Sequence, residues 1–251
     1  MPVVCSIGCS DPWNAAGTGL DIRALAACGA RTVSVLAGIT AQDREGLHQA
    51  APVAPGLIAA QLRALSEAGI EAYRIGALLD VASVEVVAAH LAETSVPAVY
   101  DPVFGASAGG SFAGDAVVAA IRSRLLPRVA LVTPNLAEAA RLCARPALTS
   151  VDDMEHAARG LLDFGARAAL VTGGHLAGDP CDVLVDDQGL RRYEATRLSG
   201  ELRGTGCLLA CGIAAELARG AALREAITAG RNVVRQRFAD AVNVGGMRLA
   251  Y

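Results

Sequence analysis

The sequence predicts a single three-layer α/β domain, in which helices cover both faces of a mostly parallel sheet. Short apolar segments closed by polar or glycine-rich turns alternate with segments of helical spacing along the chain. No linker or low-complexity segment interrupts this alternation, so we expect one domain over residues 1–251. Hydrophobic residues make up 53% of the chain, which is sufficient for a large core.

Composition argues against several classes of function. The net charge of −3 disfavours a general nucleic-acid or membrane-surface binder. There is no apolar run of about 18 residues and no leader-like start, so we expect a soluble cytoplasmic protein. All 22 basic residues are arginine, which excludes a lysine Schiff base and a phosphate-loop lysine. The seven cysteines form no Cys-x-x-Cys pair and have no histidine cluster beside them, so we expect neither a disulfide framework nor a zinc site.

The elements are predicted from apolar periodicity and from the glycines that end it. Predicted strands cover residues 3–7, 32–36, 73–76, 98–101, 130–133 and 168–171, and residues 182–185 and 191–194 form an antiparallel hairpin. Predicted helices cover residues 18–28, 55–68, 84–91, 115–125, 151–164, 208–220 and 223–242, with one more opening near Asn135. Residues 243–251 receive no assignment.

Polar residues follow several of the predicted strands. Because ligands of such sheets bind at the carboxyl ends of the strands, these positions form the candidate site. They are Asp11, Gln42, Asp101, Thr133 to Asn135, and Gly173 to His175.

A glycine-rich turn, Gly204-Thr205-Gly206-Cys207, leads into the helix at 208–220. Its backbone can approach a ligand closely, and the unpaired amides of a helix N-terminus bind anions. The same terminus lowers the pKa of a thiol, so Cys207 is a candidate base beside a bound phosphate. The alternative is a buried helix start with a small residue as filler.

Two carboxylates accompany this turn. Asp101 ends a strand, where it is placed to hold a metal or a substrate hydroxyl, and a carboxylate near phosphates usually acts through Mg²⁺. Glu138 lies one helical turn beyond Asn135, so both side chains face either the site or each other in a capping box.

Several segments together resemble the hydroxymethylpyrimidine and phosphomethylpyrimidine kinases of thiamine biosynthesis, within the ribokinase-like superfamily. The resemblance extends from Cys5 to about Gly220, and its specificity lies in the combination of TPNLAEA, GGH and GTGC. The segments are IGCSDPWNAAGTGLDIRALAACGA, GITAQD, RIGALLD, DPVFGASAGG, TPNLAEAARL, VTGGHL and RGTGCLLACGIAAELARG.

The resemblance implies a ribokinase-like α/β/α fold, ATP and Mg²⁺ as cofactors, and a role for each matching position. Asp21 and Gln42 would contact the aminopyrimidine ring. The metal and triphosphate would lie near Asp101 and Glu138. The anion hole would be Gly204, Thr205 and Gly206, and Cys207 would take the proton of the hydroxymethyl group. The nucleotide side would comprise Thr172, Gly174, His175 and Arg203.

The chain departs from the family pattern at three cationic positions. The family usually has a lysine after DPV, a lysine before GGH and a histidine before GTG. In this chain the first lysine is replaced near Ser107, the second position is Thr172, and the third is Arg203. We expect Arg203 to restore part of the charge beside the anion hole. Trp13 is also unusual in its loop, and it either stacks on a ring or packs internally.

The function expected from this resemblance is ATP- and Mg²⁺-dependent phosphorylation of 4-amino-5-hydroxymethyl-2-methylpyrimidine, with a possible second step on the monophosphate. Pyridoxal or pyridoxamine kinase is the alternative within this class. A pyrimidine-binding sensor without turnover, and a thiol hydrolase built on Cys207 and His175, are alternatives from other classes. The expected partners are the aminopyrimidine, ATP and, by analogy, a second copy in a homodimer, with no nucleic acid and no membrane.

Overall fold

The computed structural model describes residues 1–105, 110 and 113–250. The strands within this part of the chain are β1 Val3–Ser10, β2 Arg31–Gln42, β3 Leu47–Pro52, β4 Ala72–Ile75, β5 Ala98–Tyr100, β6 Leu131–Val132, β7 Ala169–Val171, β8 Cys181–Asp186, β9 Gly189–Glu194, β10 Val242–Val244 and β11 Met247–Leu249. The α-helices are α1 Gly17–Ala27, α2 Pro55–Ala64, α3 Val81–Ala92, α4 Asp115–Ala120, α5 Leu136–Leu142, α6 Val151–Asp163, α7 Thr205–Leu217 and α8 Leu223–Ala239.

Nine of the strands in the described residues form one sheet in the order β3-β2-β1-β4-β5-β6-β7-β8-β9. The six strands from β2 to β7 in this order are parallel, and β3, β8 and β9 pair antiparallel at the two sides. Because successive side chains of a strand point to opposite faces, the apolar parallel strands bury residues on both sides. The predicted mostly parallel sheet is confirmed, as is the β8–β9 hairpin.

Helices lie on both faces of the sheet. One core contains Cys5 and Ile7 of β1 together with apolar residues of α2, α3, α4, α5 and α6. The other contains Val4 of β1 together with residues of α1, α7 and α8. This alternation along β1 produces the predicted three-layer α/β/α arrangement. No helix in the described ranges is long and apolar enough to cross a membrane.

The boundaries differ from the predicted ones where tertiary pairing extends an element. β1 and β2 continue past their apolar segments to polar residues because they pair with each other along both strands. β3 was not predicted, because its sequence LHQAAP is mostly exposed and lacks an apolar alternation. The last helix ends at Ala239 rather than at Val242, which is the first residue of β10, and the rest of the β10–β11 hairpin lies in the unassigned residues.

Candidate active site

Helix α7 begins at a glycine turn that is packed against the loop following β1. Gly204 is left-handed at φ 79°, and a Cβ there would overlap the carbonyl oxygen of Ala15. The helix starts at Thr205, three residues before the predicted Leu208, so the amides of the turn already belong to its first turn. The predicted helix N-terminus is therefore confirmed, and only a glycine fits at its cap.

The loop after β1 is folded around Asp11. One carboxylate oxygen accepts the amide of Trp13 at 3.1 Å, and the other accepts the amides of Ala15 at 2.9 Å and Ala16 at 3.0 Å. Asp11 therefore fixes the loop that supports the glycine turn. Trp13 packs with Ala15 against residues of the β10–β11 hairpin, which favours the packing role for its ring.

Cys207 and Asp101 meet beneath this helix N-terminus. Both side chains are buried, and each affects the pKa of the other, so the Cys207 thiol and the Asp101 carboxylate are neighbours. A Cβ added at Gly206 would lie 3.3 Å from Asp101 Oδ1, so that oxygen faces the start of α7. The carboxyl end of β5 and the predicted anion hole thus form one site.

The prediction that the helix N-terminus lowers the pKa of Cys207 is wrong. Burial raises the pKa of this thiol to about 12, Arg74 opposes the increase, and Asp101 adds to it. Desolvation and a neighbouring carboxylate both disfavour the thiolate, and they outweigh the helix terminus. Cys207 is therefore a thiol at neutral pH in the free protein.

The predicted ring contact of Asp21 stays a prediction, and the structure shows what its carboxylate binds in the free protein. Its side chain is 0% exposed, and its oxygens accept hydrogen bonds from Ser6 Oγ at 2.6 Å, Arg74 Nη1 at 2.9 Å and Cys211 Sγ at 3.4 Å. These contacts bury the carboxylate completely in the free protein. Asp21 thus connects α1 to residues of β1, β4 and α7 beneath the site.

The capping-box interpretation of Glu138 is confirmed, and its role at a metal stays a prediction. The Asn135 amide donates to Glu138 Oε2 at 2.8 Å and the Glu138 amide donates to Asn135 Oδ1 at 3.0 Å, which is a capping box at the start of α5. Burial and then the charge of Asp101 raise the pKa of Glu138 to about 8. The charge of Asp101 contributes to this increase, so the two carboxylates lie near each other.

Gln42 and Arg203 lie together at the carboxyl end of β2. Gln42 is half-buried, and Arg203 Nη1 donates to the carbonyl oxygen of Asp43 at 2.9 Å and contacts Met247 Sδ at 2.8 Å. The nucleotide role of Arg203 stays a prediction, and in the free protein its Nη1 is bound to the β2 end and the β10–β11 hairpin.

The predicted nucleotide residues follow β7. The Thr172 amide donates to the Pro134 carbonyl at 2.9 Å, which joins the ends of β6 and β7. Gly174 and His175 are exposed. Arg197 holds this loop, because its guanidinium donates to the carbonyls of Gly174 at 2.9 Å and Gly178 at 2.7 Å and to that of Leu176.

Sequence reasoning missed two arginines of this region. Arg74 is a buried cation in the middle of the apolar strand β4. A charged residue in a strand that is covered on both faces needs a buried partner, and this could have identified Arg74 from the sequence. Arg197 lies in an irregular segment with no pattern that indicates its contacts. Ser107, where the family pattern has a lysine nearby, lies outside the described residues.

The sheet order, the two helical layers and a helix N-terminus facing a strand-end aspartate define the ribokinase-like α/β kinases as the class. Among solved structures, the pyridoxal kinase of Bacillus subtilis in an ADP complex superposes with a TM-score of 0.92 at 28% identity, covering 100% of this chain and 97% of that one. A phosphomethylpyrimidine kinase from Clostridium difficile has a TM-score of 0.82 at 25% identity, over 94% and 99% of the two chains.

The chain belongs to the phosphomethylpyrimidine kinase family, whose model matches residues 11–250. The hydroxymethylpyrimidine/phosphomethylpyrimidine kinase of Streptomyces coelicolor is 35% identical over 98% of this chain and 91% of its own length. The enzyme of the same name from Escherichia coli is 36% identical over 84% of this chain and 80% of its own length. The resemblance inferred from the motifs is confirmed.

Proposed function

We propose that this protein is one ATP-dependent kinase domain that phosphorylates the hydroxymethyl group of 4-amino-5-hydroxymethyl-2-methylpyrimidine and then its monophosphate. The observation that carries the proposal is the meeting of Cys207 and Asp101 under the N-terminus of α7. Family membership and the names of the similar enzymes from Streptomyces coelicolor and Escherichia coli support this choice of substrate.

The N-terminus of α7 supplies the electrostatic part of the reaction. Phosphoryl transfer passes through a loose transition state, so positioning and charge stabilisation matter more than a strong base. The amides from Thr205 to Cys207 belong to the first turn of α7 and have no partner within the helix, so they are donors for the oxygens of the transferred group.

The substrate proton requires an acceptor, and Cys207 alone is already protonated. As the hydroxyl oxygen forms its bond to phosphorus, its proton moves to Cys207 Sγ, and the thiol proton moves to the neighbouring Asp101 carboxylate. The bond from phosphorus to the leaving nucleotide oxygen breaks in the same step. The Cys207–Asp101 pair thus gains one proton in each turnover.

Two carboxylates fit the Mg²⁺ that this class of reaction uses. Asp101 directs Oδ1 toward the start of α7, and the charge of Asp101 contributes to the raised pKa of Glu138. Mg²⁺ usually keeps several waters when carboxylates and phosphate oxygens hold it, so this pair would hold the ion through its waters, and Asp101 remains able to take the proton. When bound, the ion would neutralise charge on the phosphates. No cluster of three or more metal-ligating side chains occurs in the described part of the chain.

Pyridoxal phosphorylation is the second candidate function. The observation in its favour is the superposition on the Bacillus subtilis pyridoxal kinase over the whole chain, with a TM-score of 0.92. Pyridoxal also presents a hydroxymethyl group on an aromatic nitrogen ring, so the same transfer geometry would serve it. The two substrates therefore have to be compared directly.

The test is an ADP-release assay with ATP and Mg²⁺, in which the pyrimidine, its monophosphate and pyridoxal are offered separately. We expect turnover of the pyrimidine and its monophosphate, and loss of that turnover in Cys207→Ala. Cys28→Ala is the matched control, since Cys28 is a half-buried thiol at the end of α1. Turnover of pyridoxal alone would favour the second candidate, and pyrimidine binding without any turnover would favour the sensor.

We also propose a homodimer, by analogy with related kinases. Size-exclusion chromatography with light scattering should give a mass of two chains, given a chain mass of 25.5 kDa. A mass of one chain across the concentration range of the activity assay would refute this part of the proposal.

A further inference from the structure

Arg74 of β4 lies between two carboxylates directly below the candidate site. Its Nη1 donates to Asp21 Oδ2 at 2.9 Å and its Nη2 donates to Asp101 Oδ2 at 2.6 Å. The side chain of Arg74 is 1% exposed, that of Asp21 is 0% exposed and that of Asp101 is 5% exposed. The guanidinium therefore joins α1 to the end of β5 through a buried two-armed ion pair.

The surrounding residues are arranged to hold this guanidinium in one position. Gly76 leaves the necessary space, because a Cβ there would overlap Arg74 Nη1. Ser6 and Cys211 donate to Asp21, so the carboxylate that anchors one arm is itself fixed from two other elements. No acceptor among the described residues reaches Arg74 Nε. A buried ion pair is costly unless its geometry is well satisfied, so this arrangement suggests a purpose beyond stability.

The contact determines which oxygen of Asp101 is available. Arg74 occupies Oδ2, whereas Oδ1 is the oxygen nearer to the position of a Cβ on Gly206, at 3.3 Å against 3.7 Å. We propose that Arg74, anchored by Asp21, is a positioning residue that fixes Asp101 relative to Cys207 and the N-terminus of α7. This inference rests on the proposed kinase function and adds to it a residue that touches neither substrate.

The positioning role requires arginine rather than a cation in general. A guanidinium is a planar fork that can bind one carboxylate with each arm, whereas an ammonium is a compact point charge on a flexible stem. A lysine at position 74 would keep the charge but could not hold both carboxylates in this geometry. We therefore expect Arg74→Lys to keep the positive charge but to disturb the orientation of Asp101.

The experiment compares Arg74→Lys with Arg224→Lys. Arg224 also binds one carboxylate through two nitrogens, with Nε at 2.8 Å and Nη2 at 2.6 Å from the oxygens of Asp186. That pair is at the β8–β9 hairpin and shares no residue with the site, so it controls for the loss of a forked ion pair. Thermal unfolding first establishes that each variant is folded.

We expect Arg74→Lys to lower kcat for the pyrimidine about 100-fold, because small misplacements of catalytic groups have effects of this size. The KM for ATP and the Kd of the pyrimidine, measured by titration calorimetry, should stay within about threefold of wild type, since Arg74 reaches no ligand. Arg224→Lys should leave kcat unchanged. A folded Arg74→Lys that retains wild-type kcat, or that loses activity only through KM, overturns the proposal.

Asp21→Asn is the second variant. If Arg74→Lys does not unfold cooperatively, Asp21→Asn alone tests the positioning role. It keeps the shape of Asp21 but removes the charge that anchors the arm of Arg74. We expect kcat to fall about tenfold, as for loss of one charged hydrogen bond, with the pyrimidine Kd unchanged. A Kd that rises while kcat is retained would show direct ring contact by Asp21 and would refute the positioning role.

The experiments distinguish failure of the proposed kinase function from failure of the proposed role of Arg74. Wild-type protein that turns over neither the pyrimidine nor pyridoxal refutes the kinase function, and the role of Arg74 with it. Wild-type turnover combined with unchanged kcat in both variants refutes only the role of Arg74.

Discussion

Replacing Glu138 by glutamine separates its structural role from its charge. Glutamine can serve in a capping box as glutamate does, so the contacts at the start of α5 are retained. What disappears is a carboxylate whose pKa is raised from 4.5 to about 8 by burial and by Asp101. The folded state therefore binds this proton more tightly than the unfolded state, so stability from Glu138 is complete below pH 4.5 and is lost as pH rises through about 8.

The size of the effect follows from the two pKa values. The difference between 4.5 and about 8 corresponds to at most about 5 kcal/mol. Because the side chain is half-buried and solvent screens part of its charge, we expect about 2 kcal/mol. For a protein of this size that is about 4 to 8 °C in Tm. Glu138→Gln should thus be more stable than wild type at alkaline pH and about equal to it at acidic pH.

The assay is thermal unfolding of both proteins between about pH 5 and pH 8.5, with a chelator present because a bound cation would lower the pKa of Glu138. Asp153→Asn is the matched control, since Asp153 occupies the same capping-box position in α6. Hydrogen bonds from the Thr149 amide and the Ser150 side chain lower the pKa of Asp153, so removing its charge should give no gain at alkaline pH. A Glu138→Gln gain that does not grow with pH would refute the reasoning.

Three further outcomes are expected. Arg203→Ala should raise the KM for the pyrimidine about tenfold and leave the KM for ATP unchanged, because the Arg203 guanidinium supports the β2 end. A raised KM for ATP with an unchanged KM for the pyrimidine would place Arg203 at the nucleotide instead. Arg197→Ala should raise the KM for ATP about tenfold by releasing the loop after β7, while Arg192→Ala, which removes an ion pair on β9, should have no effect. Iodoacetamide, followed by peptide mass mapping near neutral pH, should modify Cys207 more slowly than the half-buried Cys28, since burial keeps Cys207 protonated; faster labelling of Cys207 would contradict this.

Most of the fold could be predicted from the sequence, because along the parallel strands the apolar segments and the residues that end them indicate the same boundaries. The short apolar segments at β4, β5 and β7, each followed by a polar or glycine residue, gave both the strands and the edge where the site lies. β3 and the β10–β11 hairpin depend on tertiary contacts instead. β3 pairs with β2 through exposed residues, and Met247 becomes buried only by packing on Trp13 and Ala15.

The site was predicted in position but not in its electrostatics. Cys207 and Asp101 were both identified, yet the pKa of a thiol depends on how deeply it is buried and on which carboxylates lie beside it. Asp21 was placed on the ring by family resemblance, and only the coordinates show that three neighbours already occupy it. Such information is three-dimensional, and spacing along the chain does not contain it.

An arginine at the centre of the buried ion pair also simplifies the enzymology of this protein. Although burial opposes it, the charges of Asp21 and Asp101 raise the pKa of Arg74 further above its ordinary range, so its charge is constant wherever activity can be measured. With no lysine in the chain, no ammonium side chain of the protein titrates in that interval either. The charge of this cation therefore stays constant across a pH–rate profile, and a change of rate with pH reports on the other titratable groups of the site.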